Sequence, residues 1–260
     1  MSGLLLSTFG EGERLVVLHG FTGTAAAFEP LAARLPGRML VAPALPGHGQ
    51  APRLATSGRS GFSRTLDALA ATLSSAGMER VDLLGYSMGA RLALAFALRF
   101  PGRVRRLVLE SGSPGLRTRR QRLNRRAADE RLARLVEARG VEAFAARWER
   151  LPLFAGVRAL PSQEQAVLRA RRVAHTAEGL AWALRALGTG VQPSQWSRLG
   201  GLLVPVLLVT GSRDLKFTRI ARAMAARLPS CQNVELPGVF HVPHLEAPAA
   251  WANAVSTFLS

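Results

Sequence analysis

The residues with the clearest capacity for chemistry form a short glycine–serine pattern. Residues 85–89 read Gly-Tyr-Ser-Met-Gly, so Ser87 lies in a Gly-x-Ser-x-Gly sequence. An apolar run at residues 81–84 precedes the pattern, and a helix-forming stretch at residues 90–98 follows it. At such a strand-to-helix turn the serine Oγ projects above the sheet, and the next backbone N–H faces an oxyanion. This context predicts a catalytic serine rather than an ordinary glycine-rich turn.

A catalytic serine needs a base, and the base needs a carboxylate that orients it. In sheets with this serine turn, the chain order is serine, acid, histidine. Asp214 follows the apolar run 206–209 in a Gly-x-x-Asp turn, and His241 comes after the run 233–236. Alone, Asp214 reads equally well as the N-cap of a helix. The order and the placement after strands predict Ser87, Asp214 and His241 as a catalytic triad.

Further residues are expected around this triad. His244 is the alternative base, but we prefer His241 because it is the first histidine after the strand. The backbone N–H groups of Phe21 and Met88 are predicted to form the oxyanion hole. Such preorganised donors are each worth about 3–4 kcal/mol. His19 is expected to shape its own loop through hydrogen bonds.

Short apolar strands that alternate with helices are expected to position these residues. Strands are predicted at 15–18, 39–43, 81–84, 106–110, 202–209 and 233–236, and helices at 28–35, 63–75 and 248–259. This alternation predicts an α/β fold, with a mainly parallel sheet and helices on both faces. The strands are continuously hydrophobic, as is typical of strands that are covered on both sides.

One long segment breaks the alternation. Residues 116–193 contain no strong strand candidate and are rich in arginine. We predict that they form a helical cap inserted between two strands, so that residues 1–115 and 194–260 make the core. His175 falls in this cap and is expected to lie at the surface.

Positive charge dominates the composition. The formal net charge is +17, from 34 Lys and Arg against 17 Asp and Glu, and Lys216 is the single lysine. Such a field favours anionic ligands, and the planar fork of arginine recognises carboxylates better than lysine does. We therefore expect a small anionic substrate. A module of the same fold that binds nucleic acid is the less favoured alternative, because the predicted triad is intact.

Size and cysteine content bound the class of protein. The 260 residues, 48% of them hydrophobic, suffice for one large domain or for a core with an inserted subdomain. Residues 1–6 lack the basic and apolar regions of a secretory signal, and no stretch approaches the roughly 18 apolar residues that span a bilayer. Cys231 is the only cysteine, so no intrachain disulfide is available. We expect a cytoplasmic protein without membrane insertion, and its oligomeric state stays open.

Several motifs together carry a family resemblance. The sequences His-Gly-Phe at 19–21, Pro-Gly-His-Gly at 46–49, the serine pattern at 85–89 and Gly-x-x-Asp at 211–214 resemble the α/β-hydrolase superfamily over the whole chain. Arg91 follows Ser87 by four residues, and Ser-Pro-Gly-Leu at 113–116 and Arg-Asp-x-Lys-Phe at 213–217 narrow the match. These motifs resemble the 2-succinyl-6-hydroxy-2,4-cyclohexadiene-1-carboxylate synthase family of menaquinone biosynthesis.

The narrower resemblance implies a lyase that needs neither cofactor nor metal. In that family the triad base removes a proton from 2-succinyl-5-enolpyruvyl-6-hydroxy-3-cyclohexene-1-carboxylate, and pyruvate is eliminated. This substrate carries several carboxylates, which arginine side chains would bind. The residues expected to bind it are Tyr86, Arg91, Arg125, Trp148, Arg172 and, beside the predicted acid, Lys216.

The sequence also supports an alternative function and contains one departure from the family pattern. The alternative function is a serine hydrolase of small anionic esters or carbon–carbon bonds, with an acyl-enzyme on Ser87. The chain also departs from the family at Phe240, where a glycine usually precedes the catalytic histidine. Glycine reaches backbone dihedrals that phenylalanine does not, so this change puts the placement of His241 in question.

Overall fold

Seven strands form one sheet in this computed structural model, which describes residues 3–55 and 60–260. The strands are β1 (Leu6–Phe9), β2 (Glu13–Leu18), β3 (Arg38–Pro43), β4 (Val81–Tyr86), β5 (Val104–Glu110), β6 (Val206–Gly211) and β7 (Cys231–Leu236). Across the sheet their order is β1-β3-β2-β4-β5-β6-β7. Strand β1 runs antiparallel to β3, and every other neighbouring pair is parallel.

Helices cover both faces of this sheet. They are α1 (Glu29–Ala32), α2 (Gly61–Ser75), α3 (Met88–Arg99), α4 (Arg119–Glu149), α5 (Ser162–Val173), α6 (Ala177–Leu187), α7 (Leu215–Ala225), α8 (Pro243–Glu246) and α9 (Pro248–Leu259). In β2, Val16 and Leu18 join the apolar cluster under α2 and α3, whereas Leu15 and Val17 join the one under α1 and α9. Successive side chains of a strand point to opposite faces, so burial of both faces makes the strand continuously apolar.

The predicted fold class is confirmed, and two strand predictions need correction. Strand β1, a four-residue edge strand whose central residues are exposed, is absent from the predicted strands. Strand β6 begins at Val206 rather than at residue 202. Pro205 lies between these positions, and proline has no backbone N–H to donate to a sheet ladder.

The segment between β5 and β6 is helical. Its helices α4, α5 and α6 all fall within residues 116–193. Helix α4 begins with a capping box between Thr118 and Gln121 and is interrupted at Gly140, where φ is 77°. Side chains of α4 and α6, among them Phe144 and Leu180, form a small apolar cluster of their own. The helical segment therefore has a core separate from those of the sheet.

Within residues 3–55 and 60–260, we find no helix that combines the length and the apolar character required to cross a bilayer.

Candidate active site

The turn between β4 and α3 holds Ser87 in an unusual backbone conformation. Its φ is 51° and its ψ is −103°, a region that residues with a side chain rarely occupy. A Cβ on Gly85 would lie 2.4 Å from the carbonyl oxygen of Gly89, and a Cβ on Gly89 would lie 2.0 Å from that of Leu18. Both glycines are therefore required by close backbone approach. The Ser87 N–H donates to the carbonyl oxygen of Glu110 at 2.8 Å, which ties the turn to β5.

Ser87, His241 and Asp214 form one hydrogen-bonded chain. The Ser87 Oγ lies 3.1 Å from His241 Nε2, and His241 Nδ1 lies 2.5 Å from Asp214 Oδ2. Because Nδ1 keeps its hydrogen and donates it in a hydrogen bond to the carboxylate, the lone pair of Nε2 is left to accept the serine proton. The other oxygen of Asp214 accepts the N–H of Phe217 at 3.3 Å. Asp214 is thus the N-cap of α7 and the partner of His241 at the same time.

The rival histidine, His244, belongs to a different buried network. Its Nδ1 lies 2.7 Å from Glu110 Oε1, and its backbone N–H donates to the same oxygen at 3.2 Å. The indole N–H of Trp251 donates to the second oxygen of Glu110 at 3.0 Å. The structure therefore brings His241, and not His244, against Ser87.

Three further histidines, His19, His48 and His175, form a cluster between the segment after α5 and the loops after β2 and β3. The prediction that His175 lies at the surface is wrong. Only 5% of His175 is exposed, because its Nδ1 accepts the N–H of Gly49 at 2.7 Å and its Nε2 donates to the carbonyl oxygen of Thr22 at 3.0 Å. Its ring contacts that of His48, which in turn contacts His19. The sequence places these residues far apart, so only the tertiary structure reveals the cluster.

His19 shapes its loop as expected. Its Nε2 accepts the N–H of Leu45 at 3.2 Å, so its Nδ1 carries the proton and donates to the carbonyl oxygen of Gly20 at 2.9 Å. Burial lowers the pKa of His19 to about 4. Burial also lowers the pKa values of His48 and His175. The cluster is therefore uncharged at neutral pH.

A cavity of about 480 Å³ lies between helices α4 and α6 and the Ser87 turn. This volume is in the range of small-molecule sites. Ser87 and His241 line it together with Arg91, Arg117, Arg125, Asp129 and Lys216, and with the aromatic residues Phe21, Tyr86, Trp148, Phe154, Trp196 and Phe217. Four cations and one carboxylate thus surround an otherwise largely apolar pocket, which suits a ring that bears carboxylates.

Two arginines of this cavity are held in place by protein groups. Arg91 is 9% exposed, and its guanidinium donates to the carbonyl oxygen of Leu187 at 2.8 Å and to Gln192 Oε1 at 3.2 Å. Burial, together with the charge of Arg125, lowers the pKa of Arg91 to about 10, so the side chain stays protonated at neutral pH. Arg125 donates to Asp129 Oδ1 at 2.7 Å. Burial raises the pKa of Asp129, and the charge of Arg125 opposes that shift.

The remaining predicted binding residues differ in position. Tyr86 and Trp148 line the cavity, and burial raises the pKa of the Tyr86 hydroxyl well above its usual value. Lys216 also lines the cavity, where burial and the charge of Arg125 lower its pKa. Arg172 does not line this cavity. Its guanidinium pairs with Glu149 at 2.6 Å and donates to Thr22 Oγ1 at 3.3 Å.

The predicted oxyanion donors, Phe21 and Met88, both line the cavity. Met88 is the first residue of α3, so its N–H has no acceptor within the helix. Of the described residues near His241, Gly238 has a positive φ of 75°, and Phe240 does not have a positive φ. The backbone ahead of His241 therefore does not require a glycine at position 240. In residues 3–55 and 60–260 no cluster of three or more His, Cys, Asp or Glu side chains suits a metal ion.

Comparison with known proteins establishes the family. Residues 15–254 match the sequence model of a family described as "Alpha/beta hydrolase family". A protein of Bacillus subtilis strain 168, provisionally named 2-succinyl-6-hydroxy-2,4-cyclohexadiene-1-carboxylate synthase, is 39% identical over 95% of this chain and 90% of its own length. This chain belongs to the α/β hydrolase family and, within it, to the 2-succinyl-6-hydroxy-2,4-cyclohexadiene-1-carboxylate synthase family.

Two further relatives agree with that assignment. A Salmonella paratyphi A protein named 2-succinyl-6-hydroxy-2,4-cyclohexadiene-1-carboxylate synthase is 33% identical over 94% of this chain and 93% of its own. A structure described as MenH from S. aureus superposes with a TM-score of 0.91 at 30% identity, covering 98% of this chain and 97% of that one. The resemblance inferred from the motifs is therefore confirmed.

Several residues that line the cavity of this synthase-family chain are not among those predicted from the sequence. Arg117 lies over the ring of Trp196 at 3.6 Å, and Gln121 and Asp129 come from the first half of α4. Asp129 follows Arg125 by four residues, which is the spacing of an ion pair along a helix. That spacing was a usable signal. Arg117 was harder to find because many arginines crowd the same segment.

We predict that Gly89→Ala lowers the free energy of unfolding by about 3 kcal/mol, because its methyl group would overlap the backbone of β2. Denaturant unfolding measures the change. Gly102→Ala is the matched control, since a Cβ there meets no heavy atom within 4 Å. Equal stability of the two variants would contradict the close packing that we assign to the Ser87 turn.

We also predict that stability falls as the pH drops from 6.5 towards about 4. In the unfolded chain His19 titrates near 6.5, whereas in the folded protein its pKa is about 4, so acid favours the unfolded state between these values. His19 alone accounts for about 3 kcal/mol by pH 4. Urea unfolding of the wild type and of His19→Asn at several pH values measures the effect. The slope between pH 7 and pH 5 should be shallower in the variant, and parallel slopes would refute the assignment.

Proposed function

We propose that this chain eliminates pyruvate from 2-succinyl-5-enolpyruvyl-6-hydroxy-3-cyclohexene-1-carboxylate, yielding 2-succinyl-6-hydroxy-2,4-cyclohexadiene-1-carboxylate in menaquinone biosynthesis. One observation carries the proposal: the Ser87–His241 pair shares its cavity with the buried Arg91, with Arg125 and with Lys216. A reaction that removes a proton from a polycarboxylate needs both features. The names of the relatives support the same product.

In this proposal Ser87 and His241 act as one base. The proton on ring carbon 2, next to the succinyl ketone, passes to Ser87 Oγ as the Ser87 proton passes to His241 Nε2. The electron pair of the C–H bond forms the C2=C3 double bond, the C3=C4 double bond moves to C4=C5, and the C5–O bond breaks. The enolpyruvyl group leaves with the bond electrons, is protonated and becomes pyruvate. Asp214 stabilises the imidazolium that forms.

The other predicted residues receive roles in binding and charge stabilisation. The N–H groups of Phe21 and Met88 are proposed to donate to the succinyl carbonyl oxygen, where negative charge develops as the proton leaves. Arg91, Arg125 and Lys216 are proposed to bind the carboxylates of the substrate.

Aromatic residues and Arg172 have a different part in the proposal. Tyr86 and Trp148 are proposed to contact the ring of the substrate. Arg172 lies outside the cavity, and we propose that it acts through Thr22, which neighbours Phe21 in the predicted oxyanion loop.

We propose further that residues 116–193 act as a cap over this site and that the enzyme works in the cytoplasm. The cap supplies Arg117, Arg125 and Trp148 to the cavity, so it closes the side opposite Ser87. We propose a small polycarboxylate as the partner rather than nucleic acid, because these cations face the cavity. The single cysteine fits a reducing compartment.

The alternative is hydrolysis of small anionic esters or carbon–carbon bonds. The 3.1 Å contact between Ser87 Oγ and His241 Nε2 favours it, because the same hydrogen bond activates a serine nucleophile. The two functions differ in their covalent chemistry. An acyl-enzyme on Ser87 is obligatory for the hydrolase and absent from the elimination.

We predict that Ser87→Ala lowers kcat for pyruvate release at least about 1000-fold, because the base unit loses the group that contacts the substrate. Coupling pyruvate to lactate dehydrogenase measures the rate, and thermal unfolding reports the fold. Ser74→Ala, an exposed serine on α2, is the control and should keep full activity. A wild-type protein that cleaves simple esters and leaves the cyclohexene substrate unchanged would overturn the elimination in favour of the hydrolase.

We predict that Arg91→Gln raises KM for the natural substrate about 10–100-fold, because a charged hydrogen bond to a carboxylate is lost. Steady-state pyruvate release gives KM. Arg91 also donates to Leu187 in the cap, so the variant is compared on a substrate analogue with esterified carboxylates. An equal rise in KM for the neutral analogue would show that Arg91 acts on the protein rather than on the carboxylate.

A further inference from the structure

The carboxylate of Glu246 holds the backbone on both sides of His241. Its Oε2 accepts the N–H of Phe240 at 2.6 Å, and its Oε1 accepts the N–H of Val242 at 2.9 Å. The carbonyl oxygen of His241 itself accepts the hydroxyl of Ser111 at 2.9 Å. Three consecutive residues of the loop are therefore fixed through their peptide groups. With the backbone fixed, the imidazole of His241 can move mainly by rotation about its own side-chain bonds.

The same carboxylate touches the cap. A Cβ on Gly156 would lie 1.9 Å from Glu246 Oε2, closer than any such contact in real proteins. The backbone of Gly156 is ordinary, with φ −65° and ψ −38°, so its dihedrals do not call for glycine. An added methyl group at Gly156 would therefore displace the Glu246 carboxylate or lift the segment around Gly156.

Apolar contacts surround this point. Phe154 and Val157, on either side of Gly156, pack with Val242 in one small cluster. The ring of Phe154 lies 6.3 Å from that of His241. The cap segment at residues 152–159 therefore rests directly on the loop that carries His241.

We propose that Glu246 is a positioning residue that orients His241 towards Ser87, and that the contact with Gly156 makes this orientation depend on the seating of the cap. The inference rests on the proposed base unit of Ser87 and His241. A displacement of about 1 Å in such a unit costs about 100-fold in rate. Glu246 never reaches the cavity in this account. It acts only through the peptide groups of its neighbours.

Both carboxylate oxygens of Glu246 are needed for this arrangement. A carboxylate offers two acceptors, one for each N–H. In Glu246→Gln the amide supplies one acceptor, and its NH₂ group faces the second N–H donor to donor. The variant keeps the size of the side chain but loses one of the two hydrogen bonds. Glu11→Gln, in the exposed turn before β2, is the matched control.

The test measures two reactions of the whole protein. The first is pyruvate release, and the second is labelling of Ser87 by a fluorophosphonate probe, which needs the Ser87–His241 pair but not the cationic cavity. Glu246→Gln is expected to lower kcat and the labelling rate together by about 10–100-fold, while KM stays within about 3-fold of the wild type. Equal kcat and labelling rates in Glu246→Gln and wild type would overturn the inference, even if the variant unfolds at a lower temperature.

A double-variant cycle tests the link to the cap. Gly156→Ala should reduce the labelling rate in the wild-type background, because the new methyl group displaces the carboxylate or lifts the cap segment. In the Glu246→Ala background the space is open, so Gly156→Ala should have no further effect. Additive losses would refute the coupling. Gly102→Ala is the control for the added methyl group.

The two assays also separate this inference from the proposed function. A wild-type protein that labels at Ser87 without releasing pyruvate would refute the elimination, and the labelling rates of the Glu246 and Gly156 variants would still decide the positioning role. Pyruvate release that is lost in Ser87→Ala and unchanged in Glu246→Gln would support the proposed function and overturn the inference.

Discussion

The backbone strain at Ser87 is the constraint on which the rest of the site depends. A residue with a side chain at φ 51° costs about 1–3 kcal/mol, so the surroundings must hold it there. Gly85 and Gly89 allow β4, α3 and the end of β2 to meet without a side chain between them. The N–H of Ser87 is tied to β5 through Glu110. Because parallel strands end at one edge, the loops after β5, β6 and β7 reach this same turn and deliver the other groups.

Two carboxylate–histidine pairs at this edge of the sheet have different hydrogen-bond partners. The chain places two buried carboxylate–histidine pairs close to Tyr86, namely Asp214 with His241 and Glu110 with His244. In the first pair the second ring nitrogen faces Ser87. In the second, His244 Nδ1 and the indole N–H of Trp251 meet Glu110, while the Ser87 hydroxyl is paired with His241 instead. Chemistry therefore follows from the partner of the second nitrogen, and the pair of residue types alone does not distinguish the two.

What the sequence could predict was local, and what it could not was long-range. The Ser87 turn, the core strands and α9 each follow from a pattern within a dozen residues. The burial of His175 could not be foreseen, because its partners Gly49 and Thr22 lie more than a hundred residues away. The position of Arg172 outside the cavity depends on Glu149, in another helix. Strand β1 was missed for a different reason, since an exposed edge strand has little hydrophobic pattern to read.

The positive charges that line the cavity repel one another, but they favour the binding of an anion. Arg91, Arg117, Arg125 and Lys216 face a single carboxylate, that of Asp129, so positive charges outnumber negative charges in the lining of the cavity. Burial and the charge of Arg125 lower the pKa of Arg91, because both disfavour its charged form. A polycarboxylate ligand would supply the missing negative charge and relieve this repulsion. Arg117 and Arg125 belong to residues 116–193, whereas Arg91 and Lys216 belong to α3 and α7, so much of the repulsion acts between these two parts of the chain. A polycarboxylate bound between them would be attracted by cations from both parts of the chain.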